Sequence, residues 1–127
     1  MTTTTACELE KLFRERLDYF EHMFEMGAIE ELVGNFYTDD AVVEGQGMPP
    51  QVGKAEITAA FAGARDAGLS RIKVNADRPA VPGDGLAYQF ITNDNIFPHG
   101  IEVHRAIIVW RHTIDGWKCE VDFFCHR

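Results

Sequence analysis

The feature that most constrains the fold is a change in hydrophobic periodicity about halfway along the chain. Up to Gly68 the apolar residues recur at spacings of three and four, which is typical of one face of a helix. From Ile72 onward they alternate with polar residues, which is typical of half-buried β-strands. Because helices come first and strands with hairpin signals follow, this order predicts an α+β fold rather than a parallel, doubly wound sheet.

Three helices are predicted in the first half. Over residues 8–26 the apolar side chains fall on one face, and Gly27 interrupts the pattern. A short second helix then runs to about Phe36, and a third covers about residues 54–67. Between them we expect a short strand at residues 41–44 and a loop rich in glycine and proline.

The second half predicts an antiparallel meander. Turns are expected at residues 79–85 and 93–100, where glycine, proline and asparagine cluster. The pair Asp115-Gly116 is a hairpin signal between the last two strands. The four predicted strands are residues 72–76, 86–92, 103–112 and 117–125.

The bulk properties indicate one globular domain. A chain of 127 residues, 46% hydrophobic and 25% charged, is long enough for one core and too short for two. We therefore assign residues 1–127 to a single domain, with about residues 1–7 as a flexible N-terminal tail.

The net charge and the cysteine content limit which partners and which cellular compartment are expected. A formal net charge of -8 disfavours binding to nucleic acid or to an anionic membrane surface. The longest apolar stretch, residues 106–110, is far shorter than the roughly 20 residues of a membrane-spanning helix. Three cysteines in no metal or redox spacing, with no signal segment before them, predict a cytoplasmic protein.

No metal or organic cofactor is predicted. The five histidines show no spacing suited to zinc. The carboxylates form no calcium-binding loop.

Two parts of the chain resemble the nuclear transport factor 2-like superfamily. The first is residues 35–44, Asn-Phe-Tyr-Thr-Asp-Asp-Ala-Val-Val-Glu, followed by residues 49–54, which lead into a helix. The second is Val109-Trp110-Arg111, then residues 115–118, Asp-Gly-Trp-Lys, and Asp122-Phe123-Phe124. That second part looks like the closing hairpin of the SnoaL-like, ketosteroid isomerase-like and limonene epoxide hydrolase-like members.

The resemblance implies a cone-shaped fold. A curved, mainly antiparallel sheet would carry the three N-terminal helices on its concave face, and together they would enclose an apolar pocket. Apolar residues on the convex face would need cover, which a homodimer packed sheet against sheet would supply.

The resemblance also indicates which residues face the pocket. Strand alternation groups His104 with Ala106, Ile108 and Trp110, and the aligned hairpin places Asp122 and Phe124 on the pocket side. The predicted substrate-binding residues are Tyr19, Phe20, Phe61, Tyr88, Ala106, Ile108, Trp110 and Phe124. For Tyr88, and for other tyrosines of the chain, simple packing is the alternative role.

Three residues are catalytic candidates. Asp122 matches an acidic catalytic position of the epoxide hydrolase-like enzymes, and on an apolar wall its raised pKa would suit proton transfer. Its alternative role is a strand carboxylate paired with an arginine or a backbone amide. Tyr37 matches a tyrosine of the isomerases' hydrogen-bond network, or else fills the core. His104 is a candidate base, because a histidine titrates near neutral pH.

The chain also departs from these enzymes. Gly45 stands where the isomerases carry their base, and Ile108 stands where they carry a neutral donor carboxyl. The tyrosine and asparagine that hold the hydrolases' water have no counterpart in residues 45–49, and their arginine has none in residues 88–93. Steroid isomerisation is therefore not expected.

Two functions remain open from the sequence. The first is a cofactor-independent acid-base enzyme of the isomerase, cyclase or epoxide hydrolase type, acting on a small apolar, oxygenated molecule. The second is a non-catalytic ligand-binding or dimerisation domain of the same fold, which the missing partner residues favour.

Overall fold

A computed structural model describes residues 5–126 of the chain, which form three helices and a seven-stranded sheet. The helices are α1 (Ala6–Met26), α2 (Ile29–Phe36) and α3 (Lys54–Asp66). The strands are β1 (Tyr37–Gly45), β2 (Gln51–Val52), β3 (Arg71–Ala76), β4 (Val81–Pro82), β5 (Leu86–Phe97), β6 (Gly100–Thr113) and β7 (Gly116–His126).

The sheet is curved, open and mostly antiparallel. Its strands are ordered β2-β1-β7-β6-β5-β3, and the short β4 pairs with β5. All pairings in this described part of the chain are antiparallel except that of β1 with β7, which is parallel. The predicted α+β class and the cone-shaped arrangement of helices on a curved sheet are confirmed.

Local signals set the ends of α1. Thr5 is the N-cap: its side chain accepts from the Glu8 backbone N–H at 3.1 Å, and the Glu8 carboxylate accepts from the Thr5 N–H at 2.9 Å. At the other end Gly27 adopts a left-handed conformation with φ 78°, which ends the helix and lets α2 fold back. The helix therefore begins two residues before the predicted start. Residues 1–4 of the predicted tail lie outside the described residues.

The core lies between α1, α2 and the concave face of the sheet. Phe13, Phe24, Phe36 and Trp110 are fully or almost fully buried there. The Phe13 ring stacks on Trp110 with 4.9 Å between ring centroids, and the Trp110 indole N–H donates to Gln89 Oε1 at 3.1 Å. Trp110 is thereby anchored at a fixed depth, because its one polar atom has a buried partner.

The prediction of a turn at residues 93–100 is wrong for residues 93–97, which belong to β5. β5 continues through Phe97, and Asn93 and Asn95 pair with β6 on one side and β3 on the other. Polar residues that favour a turn in isolation are held in a strand here, because two neighbouring strands satisfy their backbone groups.

An irregularity between β6 and β7 changes the predicted alternation of β7. Val109 pairs with Val121, but the next residue, Trp110, pairs with Cys119, so one residue of β7 is extra. Cys119 is therefore fully buried beside Trp110, while Glu120 accepts a hydrogen bond from the exposed Arg111 at 2.8 Å. Alternation alone groups Glu120 with Asp122, and the bulge separates them.

Within residues 5–126, none of the helices combines the length and the apolar character that crossing a membrane would require.

Candidate functional site

A small cavity lies between the helices and the concave face of the sheet. Its volume is about 10 Å³, which is room for about one water molecule. Two of its eight lining residues are polar, Asp122 and Asn93. The six apolar residues are Leu17, Phe20, Phe36, Val74, Ile91 and Ile108.

Asp122 is the ionisable group of this cavity. It lies on β7 opposite Ile108, and its Oδ1 is enclosed without a hydrogen bond from any described group. Among residues 5–126, neither an arginine nor a backbone amide, which would mark a purely structural carboxylate, donates to that oxygen. Burial among apolar groups raises the pKa of Asp122 to about 7. At neutral pH this carboxyl can therefore both release and accept a proton.

Tyr37 lies close to Asp122. It is fully buried at the start of β1, the strand that pairs with β7, and its hydroxyl makes no hydrogen bond to a described group. Burial and then the charge of Asp122 raise the pKa of Tyr37 well above its ordinary value. The phenol therefore stays protonated and able to donate. Tyr37 is thus near enough to feel the charge of Asp122, but it is not one of the residues that line the cavity.

His104 faces the same side of the sheet but lies away from Asp122. The Asp122–Ile108 pair is followed along the strands by Phe124–Ala106 and then by His126–His104. The His104 ring stacks on Phe124 with centroids 5.2 Å apart and meets His126 edge-on at 4.7 Å. Burial, and then the neighbouring His126, lower the pKa of His104, so this imidazole is neutral at pH 7. It does not line the cavity.

Six of the eight predicted wall residues are buried or half-buried in or near the cavity, and they divide into three pairs. Phe20 and Ile108 line the cavity. Ala106 and Trp110 face the same side and are buried, but they belong to the core beside the cavity. Phe61 and Phe124 also lie outside the lining: Phe61 packs on the rings of Phe20 and Tyr37, and Phe124 packs on His104.

Two predicted wall residues require correction. Tyr88 pairs with Val109 on the convex face, where it is 42% exposed, so it cannot reach the cavity. Its neighbours Ala87 and Gln89 are the residues that point inward at this part of β5. Tyr19 lies toward the outer side of α1, where its hydroxyl accepts from Asn35 Nδ2 at 3.0 Å. A tyrosine one residue from Phe20 is turned by about 100° around the helix, away from the cavity.

The structure can be compared with solved structures, although no family model and no curated protein matches the sequence. A proposed dehydratase of the nuclear transport factor 2-like family from Streptomyces avermitilis superposes with a TM-score of 0.78 and 19% identity, over 97% of this chain and 99% of that one. A ketosteroid isomerase-like protein from Erwinia carotovora atroseptica gives 0.73 and 17%, over 94% and 96%. The chain has the nuclear transport factor 2-like fold.

The names of the similar structures differ in kind, from a proposed dehydratase to a proposed association domain. A proposed association domain of calcium/calmodulin-dependent protein kinase type II from Thiobacillus denitrificans gives a TM-score of 0.73 and 18% identity, over 88% of this chain and 92% of that one. The nuclear transport factor 2-like fold therefore does not decide between catalysis and binding, which depends on the site.

Gly45, where the resemblance to the isomerases would place an acid, is in close contact with Phe124. A Cβ atom built on Gly45 would lie 2.5 Å from Cε2 of the Phe124 ring. The space that a side chain at position 45 would need is therefore filled by Phe124. Position 45 has no room for an acidic side chain, because the aromatic ring at position 124 occupies that space.

Asn93 is a polar residue of the cavity that is not predicted from the sequence. The error follows from the predicted turn, since alternation from Ala87 through Gln89 and Ile91 reaches Asn93 if the strand is allowed to continue. The sequence analysis also leaves four buried apolar residues of the lining unassigned, namely Leu17, Phe36, Val74 and Ile91.

Among residues 5–126 no three histidine, cysteine or acidic side chains are grouped closely enough to hold a metal ion.

Proposed function

We propose that this chain is a cofactor-independent enzyme that uses Asp122 to move a proton on a small apolar, oxygenated molecule. The reaction is of the isomerase, cyclase or epoxide hydrolase type. These reactions share one need, a general acid or base that exchanges a proton with the substrate near neutral pH, and a carboxyl group can fill that role.

The observation that carries the proposal is the enclosed oxygen of Asp122, which has no partner among the described residues. A carboxylate oxygen enclosed without a donor is costly to the fold, so it calls for an explanation beyond packing. Its pKa of about 7 is close to the value at which a general acid or base is most effective at neutral pH. Groups with strongly shifted pKa values in apolar cavities cluster at acid-base sites, which supports the proposal.

Tyr37 and His104 have supporting roles in this proposal. The Tyr37 hydroxyl, protonated and without a partner in residues 5–126, can donate to an oxygen that gains negative charge as Asp122 removes a proton. His104, neutral at pH 7, can accept a second proton when the substrate extends past Phe124. The dehydratase name of the Streptomyces avermitilis protein is in keeping with proton-transfer chemistry in this fold.

The test compares Asp122→Asn with Asp115→Asn, a control in the exposed β6–β7 turn. Turnover and binding are measured on a panel of cyclic enones and cyclic epoxides. Asp122→Asn is expected to lower kcat by about 100-fold or more, because proton transfer is lost, and to leave the dissociation constant nearly unchanged. The control should match the unmodified protein. Equal kcat values for Asp122→Asn and the unmodified protein would contradict the proposal.

A second candidate function is a non-catalytic binding or association domain. The cavity volume of about 10 Å³ favours it, since a substrate enters only if the side chains over the sheet move apart. In that case no member of the panel is turned over, and Asp122→Asn has no activity to remove.

We further propose that the chain forms a homodimer through the convex face of the sheet. Two rows of apolar side chains cross three strands there, Tyr88–Val109–Val121 and Phe90–Ile107–Phe123. Tyr88 and Phe123 remain 42% and 47% exposed, which is unusual for large side chains grouped on one surface. A second copy of the chain would cover both rows by symmetry.

The proposed location is the reducing cytoplasm. Cys7, Cys119 and Cys125 are free, and Cys119 is buried with a raised pKa, first because of burial and then because of Asp122. The net charge of -8 supports a small molecule rather than nucleic acid or membrane as the partner.

A further inference from the structure

The cavity has a polar group at each of two separate places. Asp122 lies on β7 and Asn93 on β5, with β6 between them. Along the strands, Asp122 is level with Ile108, whereas Asn93 is level with His104, four residues away on β6. The two backbones are thus offset by about 10 Å across the sheet and about 13 Å along it. The remaining lining between them is apolar.

Asn93 resembles Asp122 in having an unsatisfied oxygen. Its Oδ1 is enclosed and accepts no hydrogen bond from a described group. The Nε2 of His104, on the directly opposite residue of β6, and the Nδ2 of Asn95, two residues further along β5, are also enclosed and lack a partner within residues 5–126. Of these groups only the Asn93 oxygen belongs to the cavity lining; leaving it unpaired costs stability, and a ligand that pairs with it recovers that cost.

The two places demand different chemistry from a ligand. Asp122 has a pKa of about 7 and is therefore partly protonated at neutral pH, and the nearby Tyr37, although outside the lining, keeps its proton. The Asp122 end can therefore donate a hydrogen bond to a carbonyl, ether or epoxide oxygen. The amide oxygen of Asn93 can only accept, so its partner must be an O–H or N–H group. The walls between them offer only apolar contacts.

We propose that Asn93 is a specificity-determining residue, which selects elongated apolar ligands with an acceptor oxygen at the Asp122 end and a hydroxyl group at the other. This inference rests on the proposed function, because it takes the Asp122 cavity to be the substrate site. Such a ligand exceeds the present 10 Å³, so it displaces the side chains that cover the cavity from α1 and α2, Leu17, Phe20 and Phe36.

The test uses 2-decalone and 6-hydroxy-2-decalone, which differ by one hydroxyl group remote from the ketone. Dissociation constants are measured by NMR titration of the unmodified protein, Asn93→Val and Asn95→Val. Asn95 is a matched control: it is an inward-facing asparagine on the same strand, also with a buried atom that lacks a described partner, but outside the cavity lining. Valine suits a strand and removes the amide.

The unmodified protein is expected to bind the hydroxy ketone about tenfold more tightly than the ketone, the effect of one additional hydrogen bond. Asn93→Val should abolish this preference while keeping the affinity for 2-decalone, and Asn95→Val should retain the preference. Equal affinities of the unmodified protein for the two ketones would overturn the specificity role of Asn93 but not the proposed function. Loss of the preference in Asn95→Val would have the same consequence. If neither ketone gives saturable binding at millimolar concentration, the proposed function is overturned as well.

Discussion

Asp122 lowers the stability of the folded state, because one of its carboxylate oxygens is enclosed without a donor among the described residues. Its position can be partly predicted from the sequence. Strand alternation groups it with Phe124, and the resemblance of the closing hairpin places it on the pocket side of the sheet. The structure agrees, because the β6–β7 irregularity lies before Asp122 and leaves its pairing with Ile108 in register. The lack of a described hydrogen-bond donor at its Oδ1 is beyond sequence reasoning, since it depends on every neighbouring side chain.

The buried carboxyl makes the stability of the protein depend on pH. In the unfolded chain Asp122 ionises near its ordinary pKa of 3.8, but in the folded protein only near 7. Between these values the folded state retains a proton that the unfolded state has lost, so the free energy of unfolding falls as pH rises and levels off above 7. Asp122→Asn removes this penalty.

We therefore expect the stability of Asp122→Asn, relative to the unmodified protein, to increase by about 2–4 kcal/mol as the pH rises from 4 to 8. Urea denaturation at several pH values measures the difference, and Asp115→Asn, in the exposed turn, corrects for a general change of charge. If the stability curves of Asp122→Asn and Asp115→Asn stay parallel across this range, Asp122 is not a buried, neutral-pH carboxyl.

At the level of elements, the helices are easier to predict than the strands. The three-four spacing, the capping pair of Thr5 and Glu8 and the stop at Gly27 are local signals, and α1 follows them to within two residues at each end. β5 depends instead on pairing with β3 and β6, which no local pattern reveals, so its local sequence predicts a turn from Asn93 onward. Sequence reasoning misses Asn93 for this reason.

The contact between β1 and β7 at Gly45 gives a prediction at the same scale. Gly45→Ala is expected to destabilise the protein by about 1–3 kcal/mol, because the new methyl group overlaps the Phe124 ring. In a Phe124→Ala background the same substitution should cost much less, and the difference between the two costs is measured as a coupling energy by denaturant unfolding.

Gly34→Ala on α2 is the control for Gly45→Ala. A Cβ atom there meets no described atom within 4 Å, and alanine favours a helix, so this change should stabilise the protein by about 0.5–1 kcal/mol. Equal effects of Gly45→Ala with and without the Phe124→Ala substitution would show that the ring does not occupy the space beside position 45.

For the molecule as a whole, the sequence predicts the architecture better than the site. The order of elements and the quoted motifs are sufficient for the α+β class and the cone-shaped sheet. The size of the cavity is not predictable, because it depends on how closely α1 and α2 approach the sheet through many packed aromatic rings. The fold alone leaves the activity open, as the differing names of similar structures illustrate.

The apolar convex face gives a prediction about assembly. In sedimentation equilibrium we expect twice the mass of one chain, and Phe123→Asp should shift the protein to the monomer, because a carboxylate would be buried without a partner between two sheets. Ile114→Asp is the matched control, since Ile114 is fully exposed in the β6–β7 turn, off that face. A monomeric unmodified protein, or equal masses for the two variants, would contradict the dimer.

Titration of Asp122 itself tests whether the interior of this cone-shaped fold holds a carboxyl group ready for proton transfer. The chemical shift of its carboxyl carbon is followed by NMR from pH 3 to pH 9, with Asp122→Asn used to assign the signal. We expect a midpoint of about 7, because apolar walls disfavour the ionised form. A midpoint near 3.8, the ordinary pKa of a solvated aspartate, would contradict it.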